Sequence, residues 1–261
     1  MWHEEWQSFE ESLKTEARFF SSTAVSTLGA TLGAVDQLKT HDDRPLVCDA
    51  DPGTVLDHLY RARVFQSDKA LEEALCYPDR HLGTPSPSAA CAGRMNAHGV
   101  SVFYGATEAE TAISEVRPPV GSKVAVGKFD LIRPVRLLDL TVIGDVHDDE
   151  SIFNPSLKGR LDRIAFLRTL GQRITKPVMP DDEAFDYLAT QAVADFLATM
   201  NEPRLDGIVF SSAQSRVGRN VVLFHHAARV ETLMFPEGTE IEATTGRCTD
   251  EGWEADDWVT A

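Results

Sequence analysis

The chain has no long hydrophobic run, few cysteines and a shortage of basic residues. None of its apolar stretches reaches the roughly 18 residues that a membrane-crossing helix needs, so the sequence predicts no membrane partner. Its cysteines, Cys48, Cys76, Cys91 and Cys248, stand far apart without a CxxC pair, which favours a reducing compartment. The first residues, MWHEEWQSFEESLK, are acidic and aromatic, unlike a signal peptide. We therefore expect a cytoplasmic protein.

The chain is strongly acidic. Its 261 residues include 25 lysines and arginines against 41 aspartates and glutamates, which gives a formal net charge of −16. Nucleic-acid binding needs clustered basic side chains, so the sequence predicts no nucleic-acid partner. A small molecule that carries phosphate needs only two or three well-placed donors and remains compatible. Apolar and charged contents of 43% and 25% are typical of a globular protein with one large domain.

Common catalytic motifs are missing as well. The sequence has no Walker loop, no GxGxxG after a strand, no GxSxG and no HExxH. Its eight histidines are scattered without metal-ligand spacing. We expect no metal site and no metal-dependent chemistry.

Composition and periodicity divide the chain into three parts. Residues 1–50 predict a helical segment: one helix starts at the capping box of Ser8 and Glu11 and runs to Phe20, and a second spans about Ser22 to Leu38. The run THDDRP ends this segment, with a boundary near 40–52. Residues 51–236 form the main domain. Residues 237–261 predict an acidic, solvated tail, with a docking segment for a partner as the alternative.

The main domain is predicted to be α+β. A long loop rich in proline and glycine spans 78–99, and Thr107 with Glu110 predicts the N-terminus of a helix. Apolar residues at helical spacing predict further helices over 157–173 and 183–200. The predicted strands are HLYRARVF, VSVFYGA, VAVGKFDLI, VRLLDL, GIVFSS, NVVLFHH and VETLMF.

Polar residues interrupt this apolar pattern at four places. The first is the run Tyr60-Arg61-Ala62-Arg63, inside the strand HLYRARVF, where an arginine is either a surface residue or a fixed donor for a carboxylate or phosphate. The second ends the long loop, where Arg94 and Asn96 follow Gly93. This run is either an ordinary turn or a site that grips a phosphate or a ribose.

The other two places lie near strand ends. Tyr104 ends one strand, and Glu115 lies in the next helix, off its apolar stripe. Glu115 is either a solvated helical acid or a carboxylate at a sheet edge, near a ring that can stack on a heterocycle. Ser211 and Ser212 end the strand GIVF, and Asn220 follows shortly after. No histidine lies nearby in sequence to activate a serine, so a hydrogen-bonding role is favoured over a covalent one.

In this order, these segments resemble the RES domain, a family named for its Arg, Glu and Ser. Single segments are unspecific, whereas the ordered set is specific and covers about residues 56–225. The resemblance rests on LYRARVF, GRMNAHGVSVFYGATEAETAISEVRP, VGKFDLIRPVRLLDLT, YLATQAVADFL, DGIVFSSAQ and NVVLF. The run WHEEWQSFEESLKTEARFFS also resembles the HEPN-like helical segment ahead of longer RES proteins, without the HEPN ribonuclease signature.

The resemblance implies a catalytic set. The family's arginine falls on Arg61, its glutamate on Glu115 and its serine on Ser212. Ser211 is the alternative, because this sequence has FSSA where many members have a proline before the serine. The implied fold is α+β: a mixed split β-sheet core of the ADP-ribosyltransferase and diphtheria-toxin type, with flanking helices, that clasps NAD⁺.

The resemblance also implies how NAD⁺ is held. Arg94 and Tyr104 fall on pocket-lining positions, and Asn220 falls after the serine loop. In this interpretation Glu115 lies beside the ribose, and Arg61 clamps the diphosphate with help from Arg94. Tyr104 stacks on nicotinamide or orients the ribose, while the serine hydrogen-bonds the substrate.

The implied function is consumption of NAD⁺ by cleavage of its nicotinamide–ribose bond, in an NAD⁺ phosphorylase or an NAD⁺ glycohydrolase. NAD⁺ is then a substrate rather than a cofactor, with inorganic phosphate as an optional co-substrate. The family also implies a toxin or effector restrained by an antitoxin or immunity protein. One alternative is an ADP-ribosyltransferase acting on protein or nucleic acid, although Ile113 stands where such enzymes typically carry a second acid. The other is an inactive RES-like binding module. The sequence leaves the oligomeric state open.

Overall fold

The structure is a computed structural model that describes most of the chain. The described residues are 2–15, 21–146, 157–176, 178–179, 182–215, 218–232, 242–249, 252–255 and 259–260. Within these ranges the α-helices are α1 Trp2–Thr15, α2 Ser22–Leu32, α3 Asp68–Cys76, α4 Pro78–His81, α5 Ala109–Val116, α6 Leu157–Thr175, α7 Glu183–Asp186 and α8 Leu188–Thr199.

Ten strands lie within the same ranges and form a mixed sheet, which confirms the predicted α+β class. Their order is β1-β5-β6-β7-β3-β2-β4-β8-β10, with β9 paired to β8, and every neighbouring pair is antiparallel except β5 with β6. They are β1 Val47–Ala50, β2 His58–Phe65, β3 Phe103–Ala106, β4 Lys123–Asp130, β5 Val135–Asp139, β6 Gly207–Ser211, β7 Arg219–Leu223, β8 Glu242–Thr249, β9 Gly252–Ala255 and β10 Val259–Thr260.

The sheet is divided at its centre. Strands β2 and β3 are paired only at Tyr60 and Ala106. By contrast, β2 pairs with β4 along its whole length, from His58 opposite Asp130 to Phe65 opposite Lys123. A single bridge therefore joins the part β1-β5-β6-β7-β3 to the part that begins with β2 and β4.

Alternating side chains of the strands supply two cores, as expected for a sheet covered on both faces. Ile208 and Val222 belong to the large core that includes residues of α1, α2, α6 and α8. Val209 and Val221 point to the opposite face and pack in a second core with Leu59 and Phe103. Both faces of the divided sheet are thus covered by packed side chains.

The N-terminal helices differ from the prediction at both ends. Helix α1 begins at Trp2, so Ser8 lies inside the helix and does not cap it. The reason is tertiary packing ahead of Ser8, because the buried Trp6 lies with its ring centroid 4.7 Å from that of Phe166. Residues 16–20 of this predicted helix lie outside the described residues. Helix α2 ends at Leu32, and the predicted continuation contains only a short 3₁₀ turn, Val35–Gln37.

The two chain ends that flank the main domain also contribute to the sheet. Strand β1 lies at the end of the predicted helical segment and pairs with β5. The predicted solvated tail contains β8, which pairs with β4 from Lys123 opposite Arg247 to Val126 opposite Thr244. Within the described part of this predicted solvated tail, Glu242–Thr249, Gly252–Ala255 and Val259–Thr260 are strands, because their backbones pair with β4 or with one another.

Of the predicted strand VETLMF, residues 230–232 are not in a strand, and 233–235 lie outside the described residues. Among the described helices, none has the length and apolar character needed to cross a membrane.

Candidate active site

A cavity of about 600 Å³ lies where the two parts of the sheet separate. Its lining includes Arg61 from β2 and Tyr104 from β3, on either side of the single bridge between these strands. The volume falls within the range of about 300–1,000 Å³ that is typical of small-molecule sites. The charged residues of the described lining are Arg61, Arg63, Arg94, Arg117, Glu115 and Glu183.

Helix α5 brings Glu115 to this cavity. Ala112 and Ile113 are buried against β2, β3 and β4, which turns Glu115 toward the cavity from the helix's exposed side. The predicted cap at Thr107 is wrong, because Glu108 is the N-cap residue and makes no side-chain capping bond. Thr107 instead bonds the backbone of β7, where its N–H donates to the Arg219 carbonyl at 3.0 Å. The residue ahead of α5 is therefore held by a backbone hydrogen bond to β7, and no side chain caps the helix.

Ser212 and Asn220 both hydrogen-bond the Glu115 carboxylate. The Ser212 hydroxyl donates to Glu115 Oε1 at 2.6 Å, and Asn220 Nδ2 donates to the same oxygen at 2.7 Å. The second oxygen, Oε2, has no hydrogen bond to any described residue. The structure thus brings together three residues that the sequence singled out, with one carboxylate oxygen fixed and the other available.

The loop after β6 fixes the direction of the Ser212 hydroxyl. Ser212 Oγ accepts hydrogen bonds from the backbone N–H groups of Gln214 and Ser215, each at 3.0 Å. With both lone pairs used, the hydroxyl hydrogen is left for Glu115. Ser211 is exposed and lines the cavity, whereas Ser212 is not among the described lining residues and reaches the cavity only through its bond to Glu115. Ser211 has no side-chain bond to Glu115 among the described residues.

Arg61 lies in the lining as a half-buried cation. One NH1 hydrogen is donated to the Gly83 carbonyl at 2.6 Å, and the guanidinium carbon lies 5.3 Å from the centre of the Phe103 ring. Burial, reinforced by the charge of Arg63, lowers the pKa of Arg61 to about 10. No carboxylate among the described residues forms an ion pair with Arg61.

Tyr104 and Asn96 form a buried polar pair that shapes the cavity wall. The Tyr104 hydroxyl donates to Asn96 Oδ1 at 3.0 Å and accepts from the Met95 N–H at 2.9 Å, and burial raises the pKa of Tyr104. Asn96 donates to the carbonyls of Cys91 and Val100, among others. Asn96 is only 3% exposed and is not among the described lining residues, so the structure does not place it where a ligand could contact it.

Arg94 lines the cavity, but its guanidinium already binds the protein. It donates to the carbonyls of Arg173 and Lys176 at 3.1 and 2.6 Å, at the C-terminal end of α6. It also lies over the Tyr187 ring, 5.2 Å from its centre. In this arrangement Arg94 attaches the loop to α6 rather than offering an open fork to an anion.

The sequence interpretation named Arg63 only within the run Tyr60-Arg61-Ala62-Arg63 and gave it no role, and it missed Tyr187. Arg63 had a signal, because two residues along a strand return to the same face, and Arg61 was already singled out. Tyr187 had none, because 183–200 was predicted as one helix, whereas the structure interrupts it at Tyr187 between α7 and α8. Its hydroxyl donates to Glu183 Oε1 at 3.1 Å.

Comparison with known proteins defines the class. A family model described as RES domain matches residues 58–244, most of the chain, so the chain belongs to the RES domain family. This family is associated with NAD⁺-related toxin and effector functions. No curated protein sequence matches the chain.

Proposed function

We propose that the protein cleaves the nicotinamide–ribose bond of NAD⁺. The observation that carries the proposal is the Glu115 carboxylate, whose Oε1 accepts hydrogen bonds from Ser212 and Asn220 at the edge of a 600 Å³ cavity. Both donors come from the β6–β7 region and meet a helix that follows β3. Such a fixed carboxylate suits a reaction in which positive charge develops on a bound sugar.

The chemistry needs little acid assistance. When the bond between the ribose C1′ and the nicotinamide nitrogen breaks, its electron pair leaves with nicotinamide, which departs as a neutral molecule. The ribose passes through a state that resembles an oxocarbenium ion, as in other glycosidic cleavages. Glu115 Oε2 accepts a hydrogen bond from a ribose hydroxyl, and the carboxylate stabilises the developing positive charge. An acceptor oxygen then bonds to C1′ and loses its proton to solvent or buffer.

Ser212 positions Glu115 rather than attacking the substrate. Its oxygen already accepts two backbone hydrogen bonds, which reduces the electron density available to a nucleophile. Its hydrogen is directed to Glu115, and no base among the described residues is hydrogen-bonded to the hydroxyl except that carboxylate. Loss of this hydroxyl therefore reduces the rate by disordering Glu115.

The acceptor is water or inorganic phosphate in this proposal. A glycohydrolase gives ADP-ribose, and a phosphorylase gives ADP-ribose-1″-phosphate. Transfer to a macromolecule is less well supported, because the position two residues before Glu115 is Ile113, which is 6% exposed and packs in the core. By family association, the consumption of NAD⁺ makes the protein a toxin or effector held in check by a neutralising partner.

The test follows nicotinamide release from NAD⁺ by the purified chain, with and without inorganic phosphate. Wild type is expected to release nicotinamide, and Glu115→Gln is expected to lose at least about 100-fold in kcat, the usual loss for an electrostatic stabiliser. Glu110→Gln is the matched control, because Glu110 is an exposed acid on the same helix outside the cavity lining. Absence of release under both conditions would overturn the proposal.

A further inference from the structure

Arg61 and Arg63 form an unneutralised pair of cations on one strand. They are separated by one residue on β2, so both side chains lie on the same face of the sheet. Both residues line the cavity, and the charge of Arg63 contributes to the lowered pKa of Arg61. Neither arginine forms an ion pair with a carboxylate among the described residues.

The backbone at the C-terminal end of α4 and just after it holds both guanidiniums in the same way. Arg61 NH1 donates to the Gly83 carbonyl at 2.6 Å, and Arg63 NH1 donates to the His81 carbonyl at 2.8 Å. The remaining N–H groups of both side chains have no acceptor among the described residues. The carbonyls of His81 and Gly83 thus fix the two guanidiniums and leave most of their N–H donors unused.

An arginine pair of this kind is unfavourable unless an anion joins it. Two like charges repel, and half-burial removes part of the water that would screen them. The described lining also has two positive charges in excess, four arginines against two glutamates, in a chain whose net charge is −16. A ligand with two negative charges spread over several oxygens can accept hydrogen bonds from both guanidiniums, as phosphoryl groups do.

We propose that Arg61 and Arg63 together form a two-arginine site for a phosphoryl anion. The role of Arg63 is the new assignment. With it, two guanidiniums instead of one donate hydrogen bonds to the anion. Within the proposed function, the anion is either the diphosphate of NAD⁺ or the inorganic phosphate acceptor. Both sources share the chemistry that the pair recognises, and they are separated by experiment.

The first measurement is direct binding, which does not depend on catalysis. Inorganic pyrophosphate and inorganic phosphate are titrated calorimetrically into the wild-type chain, Arg63→Gln, Arg63→Lys and Arg80→Gln. Arg80 is an exposed arginine outside the cavity lining and serves as the matched control. Arg63→Gln is expected to weaken binding of at least one anion by about 10- to 100-fold, the loss typical of a charge-assisted hydrogen bond. Arg63→Lys keeps the positive charge without the planar guanidinium, so its affinity for the anion is expected to lie between those of Arg63→Gln and wild type.

Steady-state kinetics then identify the source of the anion. If Arg63→Gln raises KM for NAD⁺ and leaves KM for phosphate unchanged, the pair holds the diphosphate. The reverse pattern assigns the pair to the acceptor phosphate, and both patterns support the site. Thermal unfolding of each variant confirms that it is folded.

The inference is overturned if Arg63→Gln, folded as wild type, binds both anions within twofold of wild type. Failure of the proposed function gives a different result. In that case no variant releases nicotinamide, yet the calorimetric difference between wild type and Arg63→Gln persists. Nicotinamide riboside, which carries no phosphate, provides a further control, since its binding is expected to be the same in wild type and Arg63→Gln.

Discussion

The Ser212 hydroxyl and the Glu115 carboxylate are joined by a hydrogen bond of 2.6 Å, although 97 positions separate them in the chain. The bond connects the loop after β6 to the helix after β3, two elements that meet through the sheet. It selects Ser212 over Ser211 as the serine in contact with the glutamate. It also gives the pair a defined direction, from hydroxyl to carboxylate.

Ser212→Ala is therefore expected to be far more damaging than Ser211→Ala. Ser212→Ala removes one of the two donors to Glu115 Oε1 and the acceptor for two backbone N–H groups. Because hydrogen bonds to a charged group contribute about 1.5–3 kcal/mol, kcat should fall by about 10- to 100-fold. Nicotinamide release at saturating NAD⁺ measures this effect. Equal losses in Ser211→Ala would contradict the assignment.

Asn220 provides the second donor to Glu115, at 2.7 Å. Asn220→Asp replaces this donor with a second carboxylate and should lower kcat by about 100-fold or more, since like charges at contact distance repel. Asn220→Ala only removes the donor and should cost about tenfold. The ranking, wild type above Asn220→Ala above Asn220→Asp, is the decisive readout. An Asn220→Asp variant as active as Asn220→Ala would refute this account.

Strand β2 shows how much of the fold the sequence contains. Its alternating apolar residues predict the strand 58–65, and the structure has β2 at His58–Phe65. The local pattern of apolar residues is enough to predict a strand whose bounds depend on its own segment. The single bridge between β2 and β3 could not be predicted, because pairing between distant strands depends on the packing of the whole sheet.

The candidate site shows the same limit. Glu115, Ser212 and Asn220 were singled out from sequence and lie together in the structure. Asn96 was singled out for the same kind of reason, yet its amide is consumed by loop carbonyls beneath the surface. Arg94 is bound by the end of α6, and no residue near it in sequence indicates that contact. A polar residue type identifies a candidate, but tertiary contacts decide whether its donors remain available.

Arg61→Met separates function from stability. Burial lowers the pKa of Arg61 to about 10, so keeping this charge in the folded protein costs stability at neutral pH. The substitution removes this cost but also loses the hydrogen bond to Gly83 and the contact with Phe103, so its two effects on stability oppose each other. We expect NAD⁺ cleavage to fall at least about 30-fold, because Arg61→Met loses two or more charge-assisted contacts to the substrate. The melting temperature is expected to stay equal or to rise. A melting temperature well below wild type would show that Arg61 is mainly structural.

The same residue predicts a pH dependence. Above about pH 10 the unfolded state binds more protons at Arg61 than the folded state does, so this group makes stability rise with pH in that window. Arg61→Met should lack this contribution. The unfolding free energy of wild type is therefore expected to rise relative to that of Arg61→Met as pH increases above about 10. A constant difference would contradict the lowered pKa.

Tyr104→Phe tests whether Tyr104 acts as a wall of the cavity or as a reacting group. The substitution keeps the ring but leaves the Met95 N–H and Asn96 Oδ1 without their partner, which should lower the unfolding free energy by about 1–3 kcal/mol. We expect kcat to stay within about threefold, the range of a small geometric change rather than a lost catalytic contact. Tyr77→Phe is the matched control, because Tyr77 is 49% exposed. A large loss of kcat with unchanged stability would instead assign a chemical role to the phenol.

The buried phenol adds a pH dependence opposite to that of Arg61. Burial raises the pKa of Tyr104 above its usual value of 10.0, so above that pH the unfolded chain releases a proton that the folded chain retains. Stability should therefore fall as pH rises above about 10 because of this group, and Tyr104→Phe should fall less steeply than wild type. Parallel curves for wild type and Tyr104→Phe would show that the phenol ionises equally in both states, which its burial between Met95 and Asn96 argues against.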